Sequence, residues 1–363
     1  MTIAVTARDV LRSRQWSGRI DPVGRGAVAD TVRHLLAVQA QDFAQALWAV
    51  GSRTAASKRS DVIAALASGQ VVRTLPMRGT LHFVAADDLG WMLDLTAARM
   101  LQSATTRFRA LGLDEATLVR SEQVAVDALA GGNALSRDGF MKLLEANGIS
   151  PEGQRGYHVI FYLNQRQILC WGPPAGTQQA LVLVDEWIRT RRALGREESL
   201  REFALRYFTG HGLATVRDFA WWSKLTLADA RAGIALAGDE LVSVELDGQP
   251  YLASAREWDA AQAARTARAG TGVHVLAGFD EYLLAYQDRS LPLAAAHAQR
   301  IVPGNNGIFL PIIVAQGRIV GTWRRAARSK SGEIEPEYFE VPGAALEKGV
   351  ARAAKRYAEF VLG

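Results

Sequence analysis

One cysteine, Cys170, occurs in 363 residues. That excludes an internal disulfide and leaves no basis for a cysteine-built zinc site. Cys170 lies in the apolar stretch Ile168-Leu169-Cys170-Trp171 before Gly172-Pro173-Pro174. A buried structural thiol is the better reading there than a nucleophile. The histidines His34, His82, His158, His211, His274 and His297 show no metal-ligand spacing. There is no Ser-His-Asp order, no glycine-rich phosphate loop and no pair of metal carboxylates. Gly131-Gly132-Asn133 and Gly270-Thr271-Gly272 lack a strand–loop–helix setting and read as turns. The expectation is an activity that uses no organic cofactor and no metal. No apolar run approaches the roughly 20 residues that cross a bilayer. Met1 to Asp9 shows no basic segment followed by an apolar core, so it is not read as a secretory signal. A cytoplasmic protein with no membrane partner is expected.

Lysine is scarce as well. Only six of the 42 basic residues are lysine, and the other 36 are arginine. Net charge is +5 and the pI is about 9.5. An arginine-dominated basic chain suits phosphate contact, although genome-wide base composition can also raise the arginine share. Hydrophobic residues make up 49% and charged residues 22%, a globular profile rather than a disordered one. The length exceeds what one hydrophobic core usually serves, which predicts two to four modules.

Helical periodicity dominates the first half. Helices are predicted from Ala27 to Val38, from Gln45 to Gly51 or Arg53, and from Ser60 to Ala67, with Ser60 and Asp61 capping the last. The period then changes. Val71 to Leu75 and Thr80 to Val84 are β-prone, with Pro76-Met77-Arg78-Gly79 as the turn. Helices followed by a small hairpin make a winged helix. The pattern recurs. Helices are predicted from Asp87 to Ala110, from Asp114 to Leu129, and from a Ser136 cap to Leu144. His158 to Leu163 is helix or strand, and Gln167 to Trp171 reads as a wing strand.

A third unit begins near Ala180 with a basic helix, Glu186 to Arg192. Ser199 caps Leu200 to Phe208, Thr215 caps Val216 to Ser223, and Thr226 caps Leu227 to Leu236. Strands Leu241 to Leu246 and Gln249 to Ala253 meet at Asp247-Gly248, a hairpin signal. The last hundred residues look β-rich, with strands at Val273 to Leu276, Arg300 to Val302, Ile308 to Val314 and Arg318 to Arg325. A small β-barrel or curled sheet is expected, closed by an amphipathic helix from Ala344 to Leu362. The fold class is therefore α+β: three tandem winged helices (1–95, 96–179, 180–255) and a small C-terminal β-barrel with its helix (256–363).

The most informative stretch is Leu36-Ala37-Val38-Gln39-Ala40-Gln41-Asp42. Side chains two apart diverge on a helix but point the same way on an extended chain. If Gln39 and Gln41 serve one site, the chain must leave the helix there. The competing reading is two solvated glutamines. Other candidates are fewer. Arg324, Arg325, Arg328 and Lys330 pack positive charge around a turn, which is either a phosphate clamp or a solvated loop. Asn305-Asn306-Gly307, after Arg300-Ile301-Val302-Pro303-Gly304, reads as a rigid hairpin tip able to probe a groove, or simply as good turn chemistry. His82, beside the first wing, is either a nucleic-acid contact or a packed, hydrogen-bonded histidine. Trp221-Trp222 reads as core. Asp280 or Glu281 reads as an acid or base, or as a capped and salt-bridged segment.

Together these residues resemble a known family. Leu36 to Asp42, Val72 to His82, Gly278-Phe279-Asp280-Glu281-Tyr282-Leu283-Leu284, Ile301 to Gly307, and Val320-Gly321-Thr322-Trp323-Arg324-Arg325 look like the winged-helix DNA glycosylase superfamily, the helix-turn-helix 42 family of AlkZ-like and YcaQ-like proteins. The resemblance spans nearly the whole chain, and Gln39-Ala40-Gln41 is similar to the Gln-x-Gln motif of the AlkZ-like side. It implies a C-shaped molecule of three winged helices and a β-barrel that holds duplex DNA. It also implies excision of alkylated purines, including bulky adducts and interstrand crosslinks, with Gln39 and Gln41 catalytic. Neither glutamine titrates near neutral pH, so each is read as orienting water. No lysine nucleophile is suggested, which predicts a monofunctional hydrolase. Three winged helices in one chain suggest a monomer, nucleoid-associated when bound to DNA. The rival reading is a non-enzymatic winged-helix DNA-binding protein such as a regulator, which usually needs a dimer.

Overall fold

The structure, a computed structural model, describes residues 3–176, 178–264, 272–327 and 331–363. The chain divides into two compact units: residues 1–62 with 200–363, and residues 63–199. Each has its own core.

The first unit opens with β1 (Ile3–Ala4), α1 (Ala7–Ser17) and α2 (Val28–Leu35). Thr6 caps α1 in a reciprocal box with Asp9. Then come β2 (Ala37–Gln39) and α3 (Phe43–Gly51), and α4 (Arg59–Ala67) carries the chain across to the second unit. The α4 cap differs from expectation. The helix starts at Arg59, Asp61 accepts from the Lys58 amide at 2.7 Å, and the Ser60 hydroxyl donates to the Gly363 carbonyl at 2.5 Å.

The second unit begins with the antiparallel pair β3 (Val71–Met77) and β4 (Thr80–Ala85). Arg78 and Gly79 turn it, both at positive φ (57° and 66°), the two-residue geometry that matches strand twist. Pro76 lies inside β3, where the register shifts between Thr74 and Met77 because proline cannot donate to a ladder. Helices α5 (Leu89–Ala110), α6 (Glu115–Leu129), α7 (Arg137–Ala146) and α8 (Arg155–Gln165) follow. Strands β5 (Leu169–Ala175) and β6 (Gln178–Leu183) form a second hairpin, joined to the first through Arg73 and Trp171. Leu113, Leu129, Phe140, Leu144, Val159, Leu163, Leu169 and Leu181 are among its core residues. Buried Asn164 ties α8 to both hairpins. It accepts from the Leu75 amide at 3.0 Å and donates to the Leu169 carbonyl at 2.9 Å. Cys170 is fully buried, as expected. Burial pushes its thiol up to about 12, which removes the thiolate that nucleophilic chemistry needs.

At the end of this unit Ala180 lies in β6, and the expected basic helix is only the single turn α9 (Val184–Trp187). Beyond it the chain is drawn out by contacts far away in sequence. The Arg192 amide donates to the Asp87 carbonyl at 3.0 Å, and its guanidinium meets buried Asp88 at 3.2 Å. Ser199 is no cap either. It sits inside α10 (Arg196–His211), and its amide bonds the Gly195 carbonyl at 2.8 Å.

Back in the first unit, α11 (Val216–Ser223) and α12 (Leu227–Ala237) carry the expected Thr215 and Thr226 caps. Strands β7 (Leu241–Leu246) and β8 (Gln249–Ser254) turn at Asp247-Gly248, and β1 adds in parallel to make a sheet in the order β1-β7-β8. Next are α13 (Ala255–Ala263), β9 (Val273–Leu276), α14 (Glu281–Leu284) and α15 (Ala298–Ile301). Finally come β10 (Ile312–Ala315), β11 (Arg318–Arg325), β12 (Ile334–Tyr338) and α16 (Ala344–Leu362).

The expected barrel is absent among the described residues. The four strands form an open antiparallel sheet in the order β12-β11-β10-β9, and its end strands do not pair with each other. Arg300 and Ile301 are helical and Val302 is a bend just past that helix, which removes one of the strands a barrel would need. Helix α16 packs against β9 and α3 instead. Gly349 approaches Val273 too closely for any side chain, with an added Cβ only 2.5 Å away. Trp48 meets Tyr357 and Phe360 at ring separations of 5.1 and 5.2 Å.

Candidate active site

The helical run that starts at Ala27 does not reach Val38. Helix α2 stops at Leu35, and Leu36 adopts φ 66° and ψ −49°. A leucine at positive φ is uncommon and strained. That residue turns the chain out of the helix and into β2, which ends at Gln39, and Gln41 lies two residues on in the bend before α3. Gln39 is buried, and Gln41 is exposed. Asp42 next to them is already committed. It caps α3, and its carboxylate accepts from the Gln45 amide at 3.1 Å.

A polar core of the same unit supports this segment. The Gln39 amide N–H donates to Oε1 of Glu281 at 2.9 Å. The Trp222 indole donates to Oε2 at 2.8 Å, and Nε2 of His211 lies 3.7 Å from that oxygen. Nδ1 of His211 faces the Tyr207 carbonyl at 2.9 Å, so that nitrogen carries the proton. Asp280 supplies the capped and salt-bridged reading of its segment. It caps α14 through the Tyr282 amide and pairs with Arg53. Trp222 is core, as expected. The link from Glu281 to Gln39 was not anticipated, since no local signal joins residues 242 positions apart. Gln45 makes a second such link, accepting from the Gly278 amide at 2.8 Å.

A family model described as AlkZ-like, DNA glycosylase AlkZ-like, matches residues 32–360. The chain belongs to the AlkZ-like DNA glycosylase family. It is therefore an enzyme, and its setting is DNA repair. It is 28% identical over 366 residues to a protein of Streptomyces sahachiroi named interstrand DNA cross-link repair glycosylase, covering 96% of this chain and 95% of that one. It is also similar to the solved structure of the Streptomyces sahachiroi DNA glycosylase AlkZ, with a TM-score of 0.82 and 25% identity over 99% of this chain and 97% of that one.

In this AlkZ-like glycosylase the other candidates lie on separate elements. His82 is fully buried, with Nδ1 on the Thr80 carbonyl and Nε2 against the Arg78 guanidinium, each at 2.8 Å. It has the form of the packed, hydrogen-bonded alternative. Arg324 and Arg325 are exposed at the end of β11, and Arg324 pairs with Glu335 across the strands at 2.6 Å. Arg328 and Lys330 lie outside the described residues.

Asn305 and Asn306 are exposed but do not form a hairpin tip, because the preceding segment is α15 and a short 3₁₀ turn. Asn306 accepts from the Ile308 amide at 2.9 Å, which is ordinary turn chemistry. Asn305 also lines a cavity of about 490 Å³ whose walls include Leu283, Arg289, Leu293, Val302 and Phe309. Arg289 lies about 5 Å from the faces of both Trp221 (5.1 Å) and Phe309 (5.0 Å). Among the described residues no helix is long and apolar enough to cross a membrane.

Proposed function

We propose that this glycosylase hydrolyses the N-glycosidic bond of alkylated purines in duplex DNA, with Gln39 and Gln41 orienting the attacking water. The observation that carries the reading is the exit from the helix at Leu36, which takes both glutamines off helical backbone, where side chains two apart diverge. Membership of the AlkZ-like family adds the reaction class.

The chemistry asks little acid help of the protein. A purine alkylated at N3 or N7 is cationic and already a good leaving group. As the bond between C1′ and the base lengthens, its electron pair neutralises the base and the sugar becomes oxocarbenium-like. The carbonyls of Gln39 and Gln41 accept hydrogen bonds from one water and direct its lone pair at C1′. When the oxygen has bonded to C1′, its surplus proton passes to solvent, because a glutamine amide holds no proton near neutral pH. Orientation and fixed dipoles carry the rate.

The substrates proposed are bulky N3 or N7 adducts, and interstrand crosslinks that the enzyme unhooks. The name of the Streptomyces sahachiroi relative supports the crosslinks. The cavity beside Asn305 has a size and apolar lining that suit the non-nucleic part of such an adduct. Arg324 and Arg325, with Arg328 and Lys330, hold phosphates; Asn305 and Asn306 probe the duplex; His82 acts by orienting Arg78. Residues 1–95, 96–179 and 180–255 are winged-helix modules and 256–363 a C-terminal module, in a chain that works as a monomer. Helices followed by a hairpin, in that order along the chain, support the modules.

The test is a base-release screen. Purified protein is incubated with duplexes carrying methylpurines, bulky N7 adducts or a crosslink, and the products are analysed by mass spectrometry. Release of the free modified base is expected. Sequence-specific binding of undamaged duplex, with no release from any adduct, would instead identify a regulator.

A further inference from the structure

We infer that Glu281 is a positioning residue, which anchors the backbone of Gln39 and thereby aims the amides that orient water. The inference rests on the proposed role of Gln39 and Gln41. Strand β2 is three residues long and follows directly on Leu36, whose positive φ is an unfavourable backbone geometry. Glu281 supplies a fixed point from a distant part of the chain, accepting the Gln39 amide N–H at 2.9 Å.

A carboxylate at this position is a costly choice unless it does something. Glu281 is 2% exposed, and burying a charge costs several kcal/mol unless it is hydrogen-bonded and paired. Its second oxygen is held by the Trp222 indole at 2.8 Å, and Trp222 is packed against Tyr207 and His211 with ring separations of 5.1 and 4.9 Å. The residue before it is clamped by Arg53. Both carboxylate oxygens therefore meet N–H donors on rigid supports. A bond from an N–H to a charged acceptor is roughly twice as strong as a neutral one. The result is a stiff link from the aromatic core of the unit to the one peptide that carries Gln39.

The geometry also dictates how to test it. An amide offers one acceptor where the carboxylate offers two, so in Glu281→Gln either Gln39 N–H or Trp222 N–H faces an NH2 group. Removing the indole donor with Trp222→Phe lets the new amide turn its carbonyl to Gln39. Single-turnover base release, DNA Kd and melting temperature are measured for wild type, for each single variant and for the double variant.

Glu281→Gln is expected to slow release by up to about a hundredfold, the scale of a 1 Å misplacement, with Kd changed by less than about twofold. The double variant is expected to recover most of the lost rate. A purely structural Glu281 would move Kd and melting together with rate, and Trp222→Phe would deepen the loss. Either result overturns the inference, as does a Glu281→Gln enzyme as fast as wild type. If Glu281→Gln alone does not fold, the double variant decides: near wild-type release supports the anchor, and release as slow as Gln39→Ala overturns it. A wild-type protein that releases no base overturns the functional reading and this inference with it; normal wild-type release with an unaffected variant overturns this inference alone.

Discussion

Arg53 grips Asp280 with two prongs, Nη1 on Oδ2 at 2.9 Å and Nη2 on Oδ1 at 2.5 Å, and both side chains are almost wholly buried. Arg53 also donates to the Ala49 carbonyl, and Asp280 accepts from the Tyr282 amide, so the pair ties α3 to the start of α14. Breaking such a pair leaves a buried charge without its partner. Asp280→Asn is therefore expected to cost about 3–5 kcal/mol of stability. Urea unfolding followed by circular dichroism should show a lower midpoint with an unchanged slope. A midpoint within error of wild type would mean the pair carries no structural weight.

His34 makes stability depend on pH. Its Nε2 lies 2.6 Å from the Ser17 carbonyl, a contact in which the ring must donate. Burial, and then the positive charge of Arg19, press its pKa from the ordinary 6.5 down to about 4. The unfolded chain binds a proton near pH 6.5, whereas the folded chain waits until about pH 4, so unfolding takes up a proton in between. The contribution is complete above pH 6.5 and is lost as pH falls toward 4. Melting temperature should decline through this window, and His34→Gln should flatten the upper part of the decline, above the carboxylate range.

Cys170 should be chemically silent. With its thiol buried and pushed up to about 12, almost no thiolate exists at neutral pH. A maleimide reagent at pH 7 is expected to leave the folded protein unmodified and to label it fully in urea. Rapid labelling of the folded protein would show that the site opens.

Arg324 and Arg325 should report on DNA through salt. Each phosphate contact contributes about 0.9 to the slope of log Kd against log salt. Replacing both arginines with alanine is expected to weaken binding to all duplexes alike and to reduce the slope by about 1–2. An unchanged slope would place the phosphates elsewhere. Arg324 starts from a pair with Glu335, so Glu335→Ala should strengthen DNA binding slightly.

Parts of this architecture were legible in the sequence for clear physical reasons. Asp247-Gly248 supports the two positive φ angles of a tight hairpin, and the strands on either side appear where expected. Thr215 and Thr226 announce their helices because a hydroxyl three residues ahead of an aspartate satisfies exposed amides. The exit at Leu36 was not legible. Leu36, Ala37, Val38 and Ala40 are all buried, and a run buried on every side carries no period to separate strand from helix. Arg300 to Val302 misled in the opposite direction: its β-branched residues suggest a strand, yet Ile301 is fully buried in a short helix. The support of Gln39 by Glu281 lies beyond any local pattern, because it exists only once the chain has folded.

The most direct test of the account is single-turnover release of a modified purine by Gln39→Ala/Gln41→Ala, read beside its affinity for the same duplex. The account predicts release reduced to the rate of spontaneous depurination, with Kd within about threefold of wild type, since water orientation and not DNA docking is lost. Release at the wild-type rate would contradict it, and so would losses of binding and release in equal measure.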